Sequence, residues 1–528
     1  MGSKSIVKAK EYKVKDGDSI ESIAKAHGMT WQELSRFNWG TDKPDEINKH
    51  LRSDVGCFKR TENDKSFVFT GKDDPGLVYI PEKFPDKQYS SNSLHAITVK
   101  QIVRKTFIPS KVMVHFRPKA DWKGEYGFDW LRIKKDVLVT ETDYETAING
   151  GYDGTDAGMS AADAFKQLRT EYGYDGFKTA VKDETVYFVP YLRLYPKGTP
   201  GKVTPPFEAE LRMRITVEDE EPLGIEFSYN KNLFKLSKEV IDDKAIAKKK
   251  AIAGTIKITC LDAFDTDQEI NVLAYPKTWQ VTDPIPIAGK IIVGANSKKR
   301  RIPVKFIFVK VKTDILNTGV ANTGTYGSLT VNGLTEINNL DNTLFQCFFD
   351  QEAVFAPDLD LTANKDLKAP DPKDPTLGKY IDPVTNSINF GAPGFRSGLR
   401  TLFLQVKDGS GKLINAKYSD AKIFTVFSFN EPAVKNVIGA IEAIGTRNLV
   451  LFSSRDTTTL NHEVLHGFGL RHTHKESSAG YKVLSESKYT YPNALNDKVN
   501  CTDNVMSYND KGWTTWNWQW TLLRSINQ

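Results

Sequence analysis

His462, Glu463, His466, Gly469 and His472 stand at fixed offsets in the stretch NHEVLHGFGLRHTH, and no other feature constrains the fold as tightly. The chain has eight histidines, and half of them (His462, His466, His472 and His474) fall between positions 462 and 474. Two histidines four apart share one face of a helix, with Cβ atoms about 5–6 Å apart. That separation lets two imidazoles meet one zinc ion. Leu460, Val464, Leu465 and Phe468 supply apolar packing for the helix, and Asp456 or one of Thr457 to Thr459 can cap it. Glu463 is rotated by about 100° from His462, so its carboxylate reaches a water at the site without becoming a ligand. Gly469 tolerates positive φ, so the helix can stop there and the chain can turn, bringing His472 back as a third nitrogen. Three protein ligands leave a fourth position for water, the pattern of a catalytic zinc site. An inert structural zinc site and core histidines satisfied by hydrogen bonds are the alternatives. The glutamate and the glycine count against both. His474 is the surplus histidine, read as a neighbour of the ligands or a surface residue.

A chain of 528 residues exceeds one ordinary core, so three or four domains are expected. Its 72 basic and 66 acidic residues leave a net charge of only +6, which argues against nucleic acid as a partner. The runs KKRR (298–301) and KKK (248–250) read as solvated charge. Cys57, Cys260, Cys347 and Cys501 are too sparse for a disulfide framework, with one bridge such as Cys347–Cys501 left open. No stretch approaches the ~18 apolar residues of a membrane span, and the start carries no apolar signal region. The expectation is synthesis in the cytoplasm and, if the protein acts outside its cell, export by a leaderless route.

Along the chain, residues 12–39 predict a strand from Tyr12 to Val14, a turn at Asp16-Gly17-Asp18, and a helix carrying Ile20, Ile23 and Ala24. Gly28 ends that helix, and Thr30 with Glu33 opens the next, whose apolar face holds Leu34 and Phe37. GLVYIP (76–81) predicts another strand. From about 95 to 300, alternating runs such as KVMVHFRP, AELRMRITVE and GTIKITCLDA predict antiparallel β-sandwich material in two domains. One helix is expected at 160–173, and the loop GGYDGTDAG (150–158) reads as a turn rather than a calcium repeat. Beyond 300, strands are expected at 301–315, in RTLFLQVKD and KIFTVFSF, and at RNLVLFSS (447–454). Helices are expected around 333–349, at 431–445 and at 513–527, with a loop over 357–376. Trp516, Trp520 and Leu523 share a face and read as core. The fold class is therefore multidomain. A small α+β module (1–90) precedes two β-rich middle domains (91–215 and the sandwich-like 216–300) and a C-terminal α/β domain (301–528).

Two resemblances follow from these residues. The strand–helix–helix order of 12–39 with its GDS turn and the strand at 76–81 resembles a LysM module, with about forty residues (39–76) in place of a short connection. LysM modules bind N-acetylglucosamine-containing glycans such as peptidoglycan, so the resemblance implies glycan binding or docking to a secretion apparatus through 12–81. The pattern HExxHxxGxxH, followed by DNVMSY (503–508), resembles the metzincin zinc metallopeptidases. The resemblance implies a methionine turn at Met506, and for Tyr508 a role as zinc ligand or oxyanion donor. It also implies that RNLVLFSS is an edge strand pairing with extended substrate.

The expected activity is zinc-dependent hydrolysis of peptide bonds in protein substrates. His462, His466 and His472 hold Zn²⁺, Glu463 is the base, and Gly469 and Met506 shape the site. The modular layout resembles the cargo of contractile injection machines such as type VI secretion, which implies an exported bacterial effector or toxin. The alternative is a cell-wall endopeptidase that holds peptidoglycan through the LysM-like module.

Overall fold

A computed structural model describes residues 9–61, 66–81, 107–130, 166, 170–173, 187–201, 203–217, 221–241, 250–280, 283–315, 325–326, 335–474, 502–508 and 512–527. The chain divides into two compact units, 1–106 and 107–528. The loop 150–158, most of 160–173, Cys501 and most of the segment that follows His474 lie outside the described residues. No described helix is long and apolar enough to cross a membrane.

In the first unit, β1 (Ala9–Lys13) pairs antiparallel with β2 (Leu77–Pro81). Between them lie α1 (Ile20–Ala26), α2 (Trp31–Trp39) and α3 (Pro44–Ser53). The first two begin in reciprocal capping boxes, Ser19 with Ser22 and Thr30 with Glu33, which satisfy orphan N–H groups at each start. Gly17 takes φ +86° in the turn, where Asp18 accepts from the Lys15 N–H at 2.8 Å. The long connection after Trp39 is part of the fold, because α3 places Ile47 and Leu51 in one core with Ile23, Leu34, Val78 and Ile80.

Among the described residues, the second unit opens with ten strands. They are β3 (Phe107–Pro109), β4 (Val112–Pro118), β5 (Gly127–Asp129), β6 (Tyr191–Arg193) and β7 (Glu208–Val217). Then come β8 (Gly224–Ser228), β9 (Phe234–Leu236), β10 (Lys250–Cys260), β11 (Gln268–Tyr275) and β12 (Ile285–Val293). They form two sheets, β4-β7-β10-β9 and β5-β6-β12-β11-β8, with β3 beside β12. Alternate residues of β7 (Leu211, Met213, Ile215) enter one core with Ile256, Ile258, Val272 and Ile291. The division expected at 215/216 falls inside β7, which pairs with β4 on one side and β10 on the other. The described residues between 107 and 295 thus build one sandwich, because a strand buried between two partners cannot end a domain. Pairing is not wholly antiparallel, since β12 runs parallel to β3 and β6.

The remaining strands are β13 (Ile302–Thr313), β14 (Thr325–Tyr326), β15 (Phe349–Phe355), β16 (Leu359–Asp360), β17 (Phe424–Ser428), β18 (Gly439–Ile441) and β19 (Asn448–Leu451). Between and after them lie α4 (Thr335–Gln346), α5 (Phe395–Leu404), α6 (Thr459–Gly467) and α7 (Asn517–Asn527). β13 lies between β15 and β17 and parallel to both; β17 is parallel to β19, and only β18 runs antiparallel at that edge. β13 is apolar from Phe306 to Val309, where both its faces are covered. Phe306 and Phe308 face α4 and α6, while Ile307 and Val309 face α5.

Three expectations are corrected here. RTLFLQVKD lies mostly in α5, since Phe395, Leu399 and Phe403 repeat at helical spacing and pack on the sheet. The helix expected at 431–445 is instead a short 3₁₀ turn followed by β18, with left-handed residues at Lys435, Asn436 and Gly445. The strand RNLVLFSS is β19, an inner strand; among the described residues the edge belongs to β18. The expected 333–349 helix and the C-terminal helix form as α4 and α7, with Trp516, Trp520 and Leu523 buried.

A buried ion pair fixes α4 to the approach of α6. Arg455 grips Glu336 with Nε–Oε1 at 2.9 Å and Nη2–Oε2 at 3.2 Å. Removing one partner leaves an uncompensated buried charge, which costs about 3–5 kcal/mol. Arg455→Ala is therefore expected to lower the urea midpoint of the second unit clearly. An unchanged midpoint would contradict the role given to the pair.

Candidate metal centre

All nine residues of α6 are buried, so packing rather than intrinsic propensity holds this short helix. Asp456 serves its start: Oδ1 accepts from the backbone N–H groups of Thr458 and Thr459 at 2.8 and 2.9 Å. Across the helix, Asn339 of α4 donates to the Thr457 carbonyl at 3.0 Å and Asn461 donates to Thr343 at 3.1 Å. The other end is held by cation and amide donors suited to a helix C-terminus: Arg447 donates to the Gly467 carbonyl, and Asn527 to that of Phe468 at 3.1 Å. Gly467 lets the helix lie on the sheet, because a Cβ there would come within 2.3 Å of the Phe424 ring.

Gly469 takes φ +106°, and the chain reverses as the sequence predicts. A side chain there would be strained and would press on Ile526, 3.1 Å from the position of a Cβ. The reversal brings His472 against the helix. Its Nε2 lies 3.0 Å from Nε2 of His462 and 3.0 Å from Nε2 of His466. The three imidazoles form a buried triad able to converge on one ion.

The outer nitrogens set the tautomers. His462 Nδ1 faces the Val505 carbonyl at 3.0 Å, and His466 Nδ1 faces the Leu470 carbonyl at 2.7 Å. A carbonyl only accepts, so each Nδ1 carries the proton and each Nε2 presents a lone pair. His472 Nε2 can donate to one of them at most. At least one of the two 3.0 Å contacts therefore sets lone pair against lone pair, which a cation between them resolves. Ligands at about 2.0–2.1 Å in a tetrahedron stand roughly 3.4 Å apart, so the two 3.0 Å contacts of His472 need only a small widening to admit the ion. Burial lowers the pKa of all three, keeping them neutral, as ligation requires. The residues fit zinc, whereas the reading as satisfied core histidines leaves at least one of the two contacts lone pair against lone pair.

Met506 is fully buried beneath, and its carbonyl accepts from Thr473 N–H at 3.0 Å, closing the reversal from below. The turn around it depends on residues that the sequence reading missed. Asn504 Oδ1 accepts from Met506 N–H at 3.0 Å, and the amides of Asn504 and Gln519 bond reciprocally at 2.8 and 3.1 Å. Gln519 belongs to α7, so the C-terminal helix sets the floor of the site. The sandwich holds that helix in turn: Asp129 accepts from Asn517 N–H at 2.8 Å, and Gln346 donates to the carbonyls of Gly124 and Trp513 at 2.9 Å each.

Tyr508 takes left-handed backbone angles at the end of the turn, and 43% of it is exposed. Its ring lies 5.2 Å from that of His462 and 4.4 Å from that of His472, which places it over the triad. His474 is buried, not a surface residue. Its ring stacks on His472 at 4.8 Å with a 17° interplanar angle. Glu463 is buried beside β18, where the Ile441 N–H bonds its carboxylate, and burial pushes its pKa up to about 7. Cys57, Cys260 and Cys347 are free, buried thiols. Burial raises the pKa of each, which disfavours the reactive thiolate.

Comparison with known proteins adds one firm point. A family model for the LysM domain matches residues 12–48, so the N-terminal unit carries a LysM domain. No curated protein matches the chain. Among solved structures, a Bacteroides ovatus GH5 xyloglucanase in complex with a XXXG heptasaccharide is similar at 10% identity, with a TM-score of 0.14. That similarity covers 56% of this chain and 57% of the xyloglucanase chain, and nothing below rests on it.

Zinc at a thousand times its Kd stabilises a folded chain by about 4 kcal/mol. Adding zinc is expected to raise the unfolding temperature of the wild type and to leave that of His472→Ala nearly unmoved. Equal shifts in both would place the metal elsewhere.

Proposed function

We propose that the second unit is a zinc-dependent endopeptidase of metzincin type, with the LysM domain holding the protein to glycan. The observation that carries this reading is the triad, whose inner lone pairs are aimed by carbonyl bonds at the outer nitrogens. The antiparallel edge strand beside Glu463, the buried methionine turn and the tyrosine over the triad support it.

Bound zinc supplies a Lewis acid that polarises the scissile carbonyl and lowers the pKa of a water toward ~7. Glu463 takes the proton of the attacking water and returns it to the leaving amine. A carboxyl whose pKa is raised to about 7 by burial can do both near neutral pH. Tyr508, carried on a rigid turn, donates a hydrogen bond to the developing oxyanion. Extended polypeptide adds to the open edge of β18, where main-chain hydrogen bonds give affinity without demanding a particular side chain.

Glu463→Ala is expected to keep zinc and to lose casein cleavage by several orders of magnitude. A zinc-loaded variant with wild-type proteolysis would sink the assignment of the base.

A second reading rests on the LysM domain at 12–48 and makes the chain a wall enzyme that cuts peptidoglycan cross-links. Incubation with purified sacculi separates the two. Retention on the sacculi without released muropeptides, together with casein cleavage, is expected. Released muropeptides would favour the wall enzyme.

A further inference from the structure

The open edge of β18 is not open along its whole length. Glu442 N–H bonds the Asn448 carbonyl at 3.0 Å and Phe452 N–H bonds the Ile438 carbonyl at 3.1 Å. In an antiparallel ladder such bonds fall on alternate residues. Ala440, opposite Val450, therefore also faces β19, while the main-chain groups of Gly439 and Ile441 face outward.

Both outward groups of Ile441 are taken. Its N–H bonds the Glu463 carboxylate, and its carbonyl accepts from Arg396 Nη1 at the start of α5. One peptide segment thus lies between a buried acid and a half-buried guanidinium, whose charge also acts on Glu463. The Ile441 side chain is held as well, since its Cδ1 lies 2.9 Å from where a Cβ on Gly467 would stand. Gly439 leaves the acid its path: a Cβ there would lie 3.1 Å from Glu463 Cγ and 2.6 Å from Thr459 Cγ2.

We propose that Arg396 is a positioning residue for Glu463, acting through the backbone of Ile441. The guanidinium fixes the 441–442 peptide by its carbonyl, and across the Ile441 Cα this holds the 440–441 peptide whose N–H aims the carboxylate. It also ends the ladder available to substrate, so main-chain pairing on β18 is made at Gly439 and stops at Ile441. This inference rests on the peptidase reading for its consequence in catalysis, but the tether itself is measurable without turnover.

Arg396→Ala and Arg396→Lys are compared with the zinc-loaded wild type by hydrogen-exchange mass spectrometry over 436–446, zinc analysis and steady-state proteolysis. The Ile441 amide faces the open edge and owes its protection to Glu463. In Arg396→Ala one amide of this segment is expected to exchange roughly ten-fold faster, because local opening sets the rate. Zinc content stays at the wild-type level, and kcat falls about 10–100-fold with KM little changed, the usual scale for an outer partner. Lysine restores part of both. Wild-type exchange and turnover in Arg396→Ala would overturn the proposal. So would loss of zinc along with activity, which marks a merely structural arginine. A wild type that shows the Arg396-dependent amide and binds zinc, yet hydrolyses nothing, would uphold the tether and overturn the peptidase reading instead.

Discussion

Two hydrogen bonds from ring nitrogens to main-chain carbonyls organise the site. His462 Nδ1 is tied to Val505 and His466 Nδ1 to Leu470, and these bonds decide which nitrogen of each ring can bind a metal. Neither carbonyl lies on α6. One belongs to the methionine turn and the other to the loop after Gly469, so the helix alone cannot make the site. It needs the reversal at Gly469 and the floor at Met506 together. That floor needs the reciprocal amides of Asn504 and Gln519, and Gln519 sits on a helix whose first N–H, that of Asn517, leans on the sandwich through Asp129. The β-rich segment is in this sense part of the machinery, since it holds the element on which the third side of the site is built.

The same dependence explains what the sequence made legible. His462 and His466 were readable because helical geometry sets where residues four apart stand, whatever surrounds them. Gly469 was readable because a sharp reversal demands a residue that accepts positive φ, and it takes φ +106°. The two capping boxes of the first unit were equally local, and the strand–helix–helix order they mark lies where the LysM domain is found.

What could not be read were relations between distant segments. RTLFLQV is an apolar run too short to show its period, and only packing of Phe395, Leu399 and Phe403 on the sheet makes it a helix. The stretch 431–445 carries good helix formers, yet its place at the sheet edge overrides that preference. The boundary expected at 215/216 falls inside β7, whose partners lie more than thirty residues away on either side and leave no local mark. Glu336, Arg396, Arg455 and Gln519 gave no local signal: each is ordinary in its own window and acquires a role only by what lies opposite. For His474 the sequence leaves both a neighbour of the ligands and a surface residue open, and the stacking on His472 makes it the neighbour.

The measurement that bears most directly on the central claim is zinc absorption-edge spectroscopy on the chain loaded with one equivalent of metal. The account predicts a four-coordinate shell at about 2.0–2.1 Å with the outer scattering of three imidazoles and one further light atom. A shell of water-like oxygens without imidazole scattering, or one containing sulfur, would contradict it.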